Sequence, residues 1–142
     1  MRITITLFLS ILLFGTLNAQ STSTYEITVV TPKMANAGTG ARVFLKINGA
    51  SRNSTALHLD NQYNNHEQGD VDVYSYELPD VGNIESIVLY HDNTGKKPGW
   101  FCESVTILNT RTGEEWYFNV NKWFATSAGD GKIRRRIYPT KL

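Results

Sequence analysis

A chain of 142 residues, 41% of them hydrophobic, is the size of one domain and apolar enough to build a core. The formal net charge of +1 excludes the broad positive field expected of a nucleic-acid-binding domain. One cysteine, Cys102, excludes an intramolecular disulfide, so the core must hold the fold without staples.

The chain begins with the pattern of a secretory signal peptide. Arg2 supplies a positive start, an apolar run follows to Phe14, and Ala19 offers a small residue at the cut. Residues 1–19 are therefore expected to be removed, leaving a secreted, near-neutral, extracellular chain of residues 20–142. The apolar run is too short for a hydrocarbon core of about 30 Å. Residues 21–24, a polar Ser-Thr-Ser-Thr run, are expected to fray.

Next come short segments in which apolar and polar residues alternate, the mark of strands with one buried face. Tyr25, Ile27 and Val29 form the first, Val43, Leu45 and Ile47 the second, and Leu57 and Leu59 the third. Residues 71–78, 84–91, 100–108, 114–120 and 132–138 continue the series. Asn48-Gly49, Pro79-Asp80, Thr94-Gly95, Thr112-Gly113 and Gly129-Asp130-Gly131 supply turn chemistry between them. No window sustains a helical period, and residues 121–127 allow one helical turn at most. The expected fold is all-β, a sandwich or barrel of eight short strands in a single domain. Three polar stretches interrupt the pattern, at residues 32–40, 60–70 and 92–99, and are the places where binding residues are expected.

Single residues invite chemical readings. Cys102 lies in a strand and reads as a small buried hydrophobe. His58, His66 and His91 lack the spacing of a zinc site. His91, Asp92 and Ser104 contain the residue types of a triad, but nothing in the sequence brings them together, and no catalytic residue is assigned. Trp116 shares a face with Phe118 and Val120 and is expected in the core, as are Trp100 and Trp123; an exposed tryptophan would instead suit a carbohydrate-binding sandwich. In Arg134-Arg135-Arg136, alternation sends Arg135 to the side of Ile133 and Ile137, where it needs a partner. The triplet reads either as a charged edge strand or as a patch for an acidic partner. Asn53-Ser54-Thr55 is a glycosylation sequon.

Taken in order, Ala37-Gly38-Thr39-Gly40, Leu59-Asp60, Asn64-Asn65-His66-Glu67, His91-Asp92-Asn93-Thr94-Gly95, Pro98-Gly99-Trp100-Phe101 and the pair Phe118 and Trp123 resemble a PLAT, or lipoxygenase-homology, domain over nearly all of residues 25–138. The resemblance implies two packed four-stranded antiparallel sheets and a non-catalytic module. That module would bind a lipid or membrane surface, or a protein partner, as a monomer and without nucleic acid. It also implies calcium as a cofactor, weakly held. Asn64, Asn65 and Glu67 fall on the family's main ligand loop, Gly38 and Thr39 on the loop that gives main-chain oxygens, and Asp92 is a further ligand. The same residues also read as ordinary turn formers. Gly40 and Asn65 stand where the family often has acidic residues, which lowers the charge available to calcium. Met34, Lys96 and Lys97 are the expected membrane or partner contacts; Met34 alone is bulky and apolar at the tip of the first loop, and the two lysines suit anionic headgroups.

Overall fold

In the computed structural model, which describes Gly15 and residues 20–141, the alternation resolves into eight strands. They are β1 (Thr22–Val30), β2 (Val43–Gly49), β3 (Leu57–His58), β4 (Val71–Pro79), β5 (Ile84–His91), β6 (Trp100–Asn109), β7 (Glu115–Phe124) and β8 (Arg134–Ile137). The expected signal peptide, residues 1–19, lies outside the described residues except for Gly15. No described helix is long and apolar enough to cross a membrane.

The strands form two four-stranded sheets, ordered β4-β1-β6-β7 and β3-β2-β5-β8, and all pairs are antiparallel. Tyr25, Ile27 and Val29 of β1 face Val43, Leu45 and Ile47 of β2 across the sandwich, all essentially without solvent exposure. Each such side chain contributes about 1.5–3 kcal/mol on burial. Cys102 is buried in the same core, and burial raises its thiol pKa, so it is an inert packing residue.

Two bulges re-phase the alternation. Between Cys102 and Ser104 the β6–β7 register shifts, so Trp100 and Cys102 point inward before the bulge and Val105 and Ile107 after it. A second shift, between Asn48 and Gly49, lets both Ile84 and Ile87 face the core although they are three residues apart.

Four expectations need correction. Residues 22–24 do not fray: they pair with Pro79, Leu78 and Glu77, and Ser23 is buried with its hydroxyl 3.0 Å from Asp80. Residues 121–124 form no helical turn, because they continue β7 against Trp100–Cys102. Trp123 is half-buried, its ring edge-on to Phe101 at 5.5 Å, whereas Trp100 and Trp116 lie in the core as expected. The last strand is shorter than residues 132–138. Arg135 finds the partner it needs, Asp130, and also donates to the Trp123 carbonyl at 2.8 Å.

Antiparallel pairing places four connections at one end of the sandwich. They are residues 31–42, 59–70, 92–99 and 125–133, and they include all three polar stretches.

Candidate functional site

The loop end is stitched together by main-chain bonds. Thr31 N donates to Asp70 O at 2.9 Å, Gly69 N to Pro32 O at 3.1 Å, and Thr39 N to His66 O at 3.0 Å. The Thr39 hydroxyl donates to Pro98 O at 2.7 Å, tying the first loop to the third. Gly38 allows a close approach: a Cβ there would lie 2.9 Å from Gln68 N and 3.1 Å from His66 O. Gly95, at φ 77°, crosses Gly40 where a side chain would strike the Gly40 carbonyl.

Under these loops lies a buried polar support. His66 sits at φ 59°, and its amide donates to Asp72 Oδ2 at 2.8 Å. Its Nε2 lies 3.2 Å from Leu59 O and 3.2 Å from the Tyr74 hydroxyl. Burial pushes the imidazole pKa down to about 4, so the ring is neutral at pH 7. A carbonyl only accepts, so Nε2 carries the ring proton, and Nδ1 is a buried lone pair without a partner among the described residues. The 3.9 Å approach of Nδ1 to Asp72 is therefore no ion pair at neutral pH. Trp100 meets the His66 ring edge-on at 5.2 Å and donates its Nε1 proton to Thr31 Oγ1 at 2.9 Å.

Above this support two shallow clefts open. One, of about 360 Å³, lies between Thr39–Val43 and residues 58–67 and is bordered by Asp60, Asn64, Asn65 and Glu67. The other, of about 340 Å³, is lined by Asn36, Gly38, Thr39, Gly40, Glu67, Gln68, Lys96 and Lys97. Glu67 borders both. Gly38, Thr39, Asn64, Asn65 and Glu67 are thus brought to one place, with Lys96 and Lys97 beside them. Met34 is exposed in the first loop.

These side chains differ in what they have left to offer. Asn65 is committed: its Oδ1 accepts from the Tyr74 hydroxyl at 2.9 Å, and its Nδ2 donates to Asp60 Oδ1 and Tyr63 O, both at 2.9 Å. Asp92 stands apart from the clefts, and both its oxygens are engaged. Thr94 gives Oδ1 a hydroxyl and an amide bond, and Arg42 gives its amide to Oδ1 and its guanidinium to Oδ2. The Thr94 hydroxyl, then Arg42, hold the Asp92 carboxyl well below the usual carboxylate range. Among the described residues the Glu67 side chain has no hydrogen-bond partner, although its amide donates to Asp70 Oδ2 at 3.1 Å. Asp60, not assigned as a ligand from the sequence, borders the first cleft and keeps one oxygen free of the Asn65 bond. Its sequence signal is the Leu59-Asp60 step of the family resemblance, at the start of a polar loop.

His91 and Ser104 form no nucleophilic pair. His91 Nε2 lies 2.6 Å from Phe124 O and its Nδ1 accepts from Asn93 N at 2.9 Å, so both ring nitrogens serve the loop.

The family pattern described as PLAT/LH2 domain matches residues 25–136. The chain belongs to the PLAT/LH2 domain family. As a PLAT domain it is 33% identical over 122 residues to Lipoxygenase homology domain-containing protein 1 of Mus musculus, covering 83% of this chain and 6% of that relative. It is 30% identical over 116 residues to Polycystin-1 of Homo sapiens, covering 80% of this chain and 3% of that relative. The chain therefore spans a small fraction of the length of these relatives. Among solved structures, a coral 8R-lipoxygenase, described as calcium-activated through a C2-like domain, superposes with a TM-score of 0.72 and 27% identity over 83% of this chain and 17% of that chain. This agrees with the two four-stranded antiparallel sheets of the present PLAT domain.

No trio of acidic, histidine or cysteine side chains converges on one point among the described residues. The oxygen donors bordering the first cleft, two carboxylates (Glu67 and Asp60) and the Asn64 amide, suit a hard, oxygen-seeking ion such as calcium in an open, weakly charged site. They do not match a structural zinc site, which four Cys or His side chains close tetrahedrally.

Proposed function

We propose that this PLAT domain is a secreted, non-catalytic binding module whose loop end docks on an anionic lipid surface, assisted by weakly held calcium. The observation that carries the proposal is Glu67, a carboxylate without a side-chain partner among the described residues that borders both clefts of a loop end already braced from beneath. Glu67 and Asp60 would supply the negative charge for calcium. Asn64 would add a neutral oxygen, and the segment Gly38-Thr39 main-chain oxygens. Bound calcium would offset the carboxylates and leave Lys96 and Lys97, about 1 kcal/mol each near an anionic surface, to favour headgroups. Met34 is the apolar contact. The relatives support this reading, since calcium activation is attributed to the C2-like domain of the coral lipoxygenase.

Calorimetric titration tests the ion directly. Calcium should bind with a Kd of ~10⁻⁴–10⁻³ M, the range of weakly charged extracellular modules. Absence of a calcium heat, together with unchanged binding to a protein partner in chelator, would leave a calcium-independent interaction module as the function.

A further inference from the structure

We infer that a second site, independent of the loop end, runs along the flank of the sandwich between the edges of β7 and β8 and takes an extended acidic oligosaccharide. β7 and β8 are the terminal strands of their two sheets, and between them lies an open trough of about 470 Å³. Lys122 reaches it from β7, Lys132 from the preceding loop, and Arg134, Arg135 and Arg136 from β8. No carboxylate side chain among the described residues lines it. Arg135 is neutralised by Asp130, but none of the ion pairs among the described residues uses Lys122, Lys132, Arg134 or Arg136. Four cationic residues outside these ion pairs thus border one trough in a chain whose overall charge is only +1.

A blunted edge strand needs charge on its own residues only. Here the cationic residues come from both sheets and a loop, and two of the guanidiniums are held against β5. The Arg134 guanidinium lies 4.5 Å from the centroid of the Tyr90 ring, and Arg136 Nη1 donates to Ser86 Oγ at 3.3 Å. Arg134 and Arg136, two residues and so about 7 Å apart along the strand backbone, each carry a planar donor fork on the same side. That arrangement suits separate sulfate or carboxylate groups carried on a linear chain. Tyr138, 66% exposed, borders the trough and offers a ring face to a sugar, and Asn119 adds an amide. Apart from Lys132, the lining residues lie on or just beyond β7 and β8, and none of them borders either cleft of the loop end.

The test is titration of a heparin-derived hexasaccharide into the full chain, in chelator, at low and at physiological salt. Saturable binding that weakens with salt is expected, at least tenfold weaker in R134S/R136S and in K122S/K132S. Lys122 and Lys132 make no side-chain hydrogen bond or ion pair among the described residues, so the lysine variant should melt at the wild-type temperature and decides the matter if the arginine variant is unstable. R134S/R136S should keep calcium-dependent vesicle binding, which separates this site from the loop end. No saturable binding at low salt would overturn the inference. So would unchanged affinity in the lysine variant, or tighter binding of a phosphoinositide vesicle or a single-stranded oligonucleotide of matched charge.

Discussion

The hydroxyl of Thr39 bridges two segments: it donates to the Pro98 carbonyl at 2.7 Å and accepts from the Ala41 amide at 3.0 Å. Thr39 is buried, so removing the hydroxyl strands a carbonyl and an amide at the join between the first and third loops. Thr39→Ala should cost about 1–3 kcal/mol. It should also speed hydrogen exchange at Ala41, while Thr39→Ser restores both. Equal exchange at Ala41 in wild type and Thr39→Ala would show that the bridge does not order the loops.

The core depends on large aromatics. Trp116 is buried with its Nε1 donating to Asn83 Oδ1 at 3.1 Å. Trp116→Ala should destabilise the domain by ~3–5 kcal/mol, through lost contacts and a residual cavity. Thermal unfolding reads the effect, and a wild-type melting temperature would place Trp116 on the surface.

His66 gives stability a pH dependence. Its folded pKa, about 4, lies below the unfolded value of 6.5, so the unfolded chain binds the proton more readily between these values. The stability that depends on the neutral ring is fully present above pH 6.5 and is lost as pH falls from 6.5 toward 4, by up to about 3 kcal/mol. Denaturant unfolding in chelator at pH 7 and pH 4.5 measures it. His66→Gln should flatten this window, and an equal loss in the variant would assign the slope to other groups.

The N-terminal pattern predicts processing. Mass analysis of exported protein should find Gln20 at the new N-terminus; an intact Met1 in the membrane fraction would contradict it.

Much of the fold is legible in the residues themselves. Alternation around Tyr25, Val43 and Trp116, broken by turn residues such as Thr112-Gly113, locates the strands without long-range information. The exceptions have long-range causes. The first strand extends back through Ser23 because that hydroxyl is satisfied by Asp80 and Arg111, which are distant in sequence. The seventh continues past Val120, but an extra residue within it, where Val120 and Asn121 (φ 44°) oppose Glu103 alone, hides that continuation from the alternation.

The candidate site is legible in part for the same reason. Gly38, Thr39, Asn64, Asn65 and Glu67 do gather at one end of the sandwich. Residue type does not disclose that Tyr74 occupies the Asn65 oxygen or that Arg42 and Thr94 occupy Asp92, nor that Asp60 borders the cleft with an oxygen free.

The central claim is that the loop end meets anionic lipid with help from calcium through Glu67. Flotation with phosphatidylserine-containing and with neutral phosphatidylcholine vesicles, in millimolar calcium or in chelator, tests it most directly. The wild-type chain should float with the anionic vesicles in calcium and much less in chelator. Glu67→Gln should lose the calcium-dependent fraction while keeping its metal-free melting temperature. Flotation that is absent under all conditions, or equal in calcium and chelator for both proteins, would contradict the account.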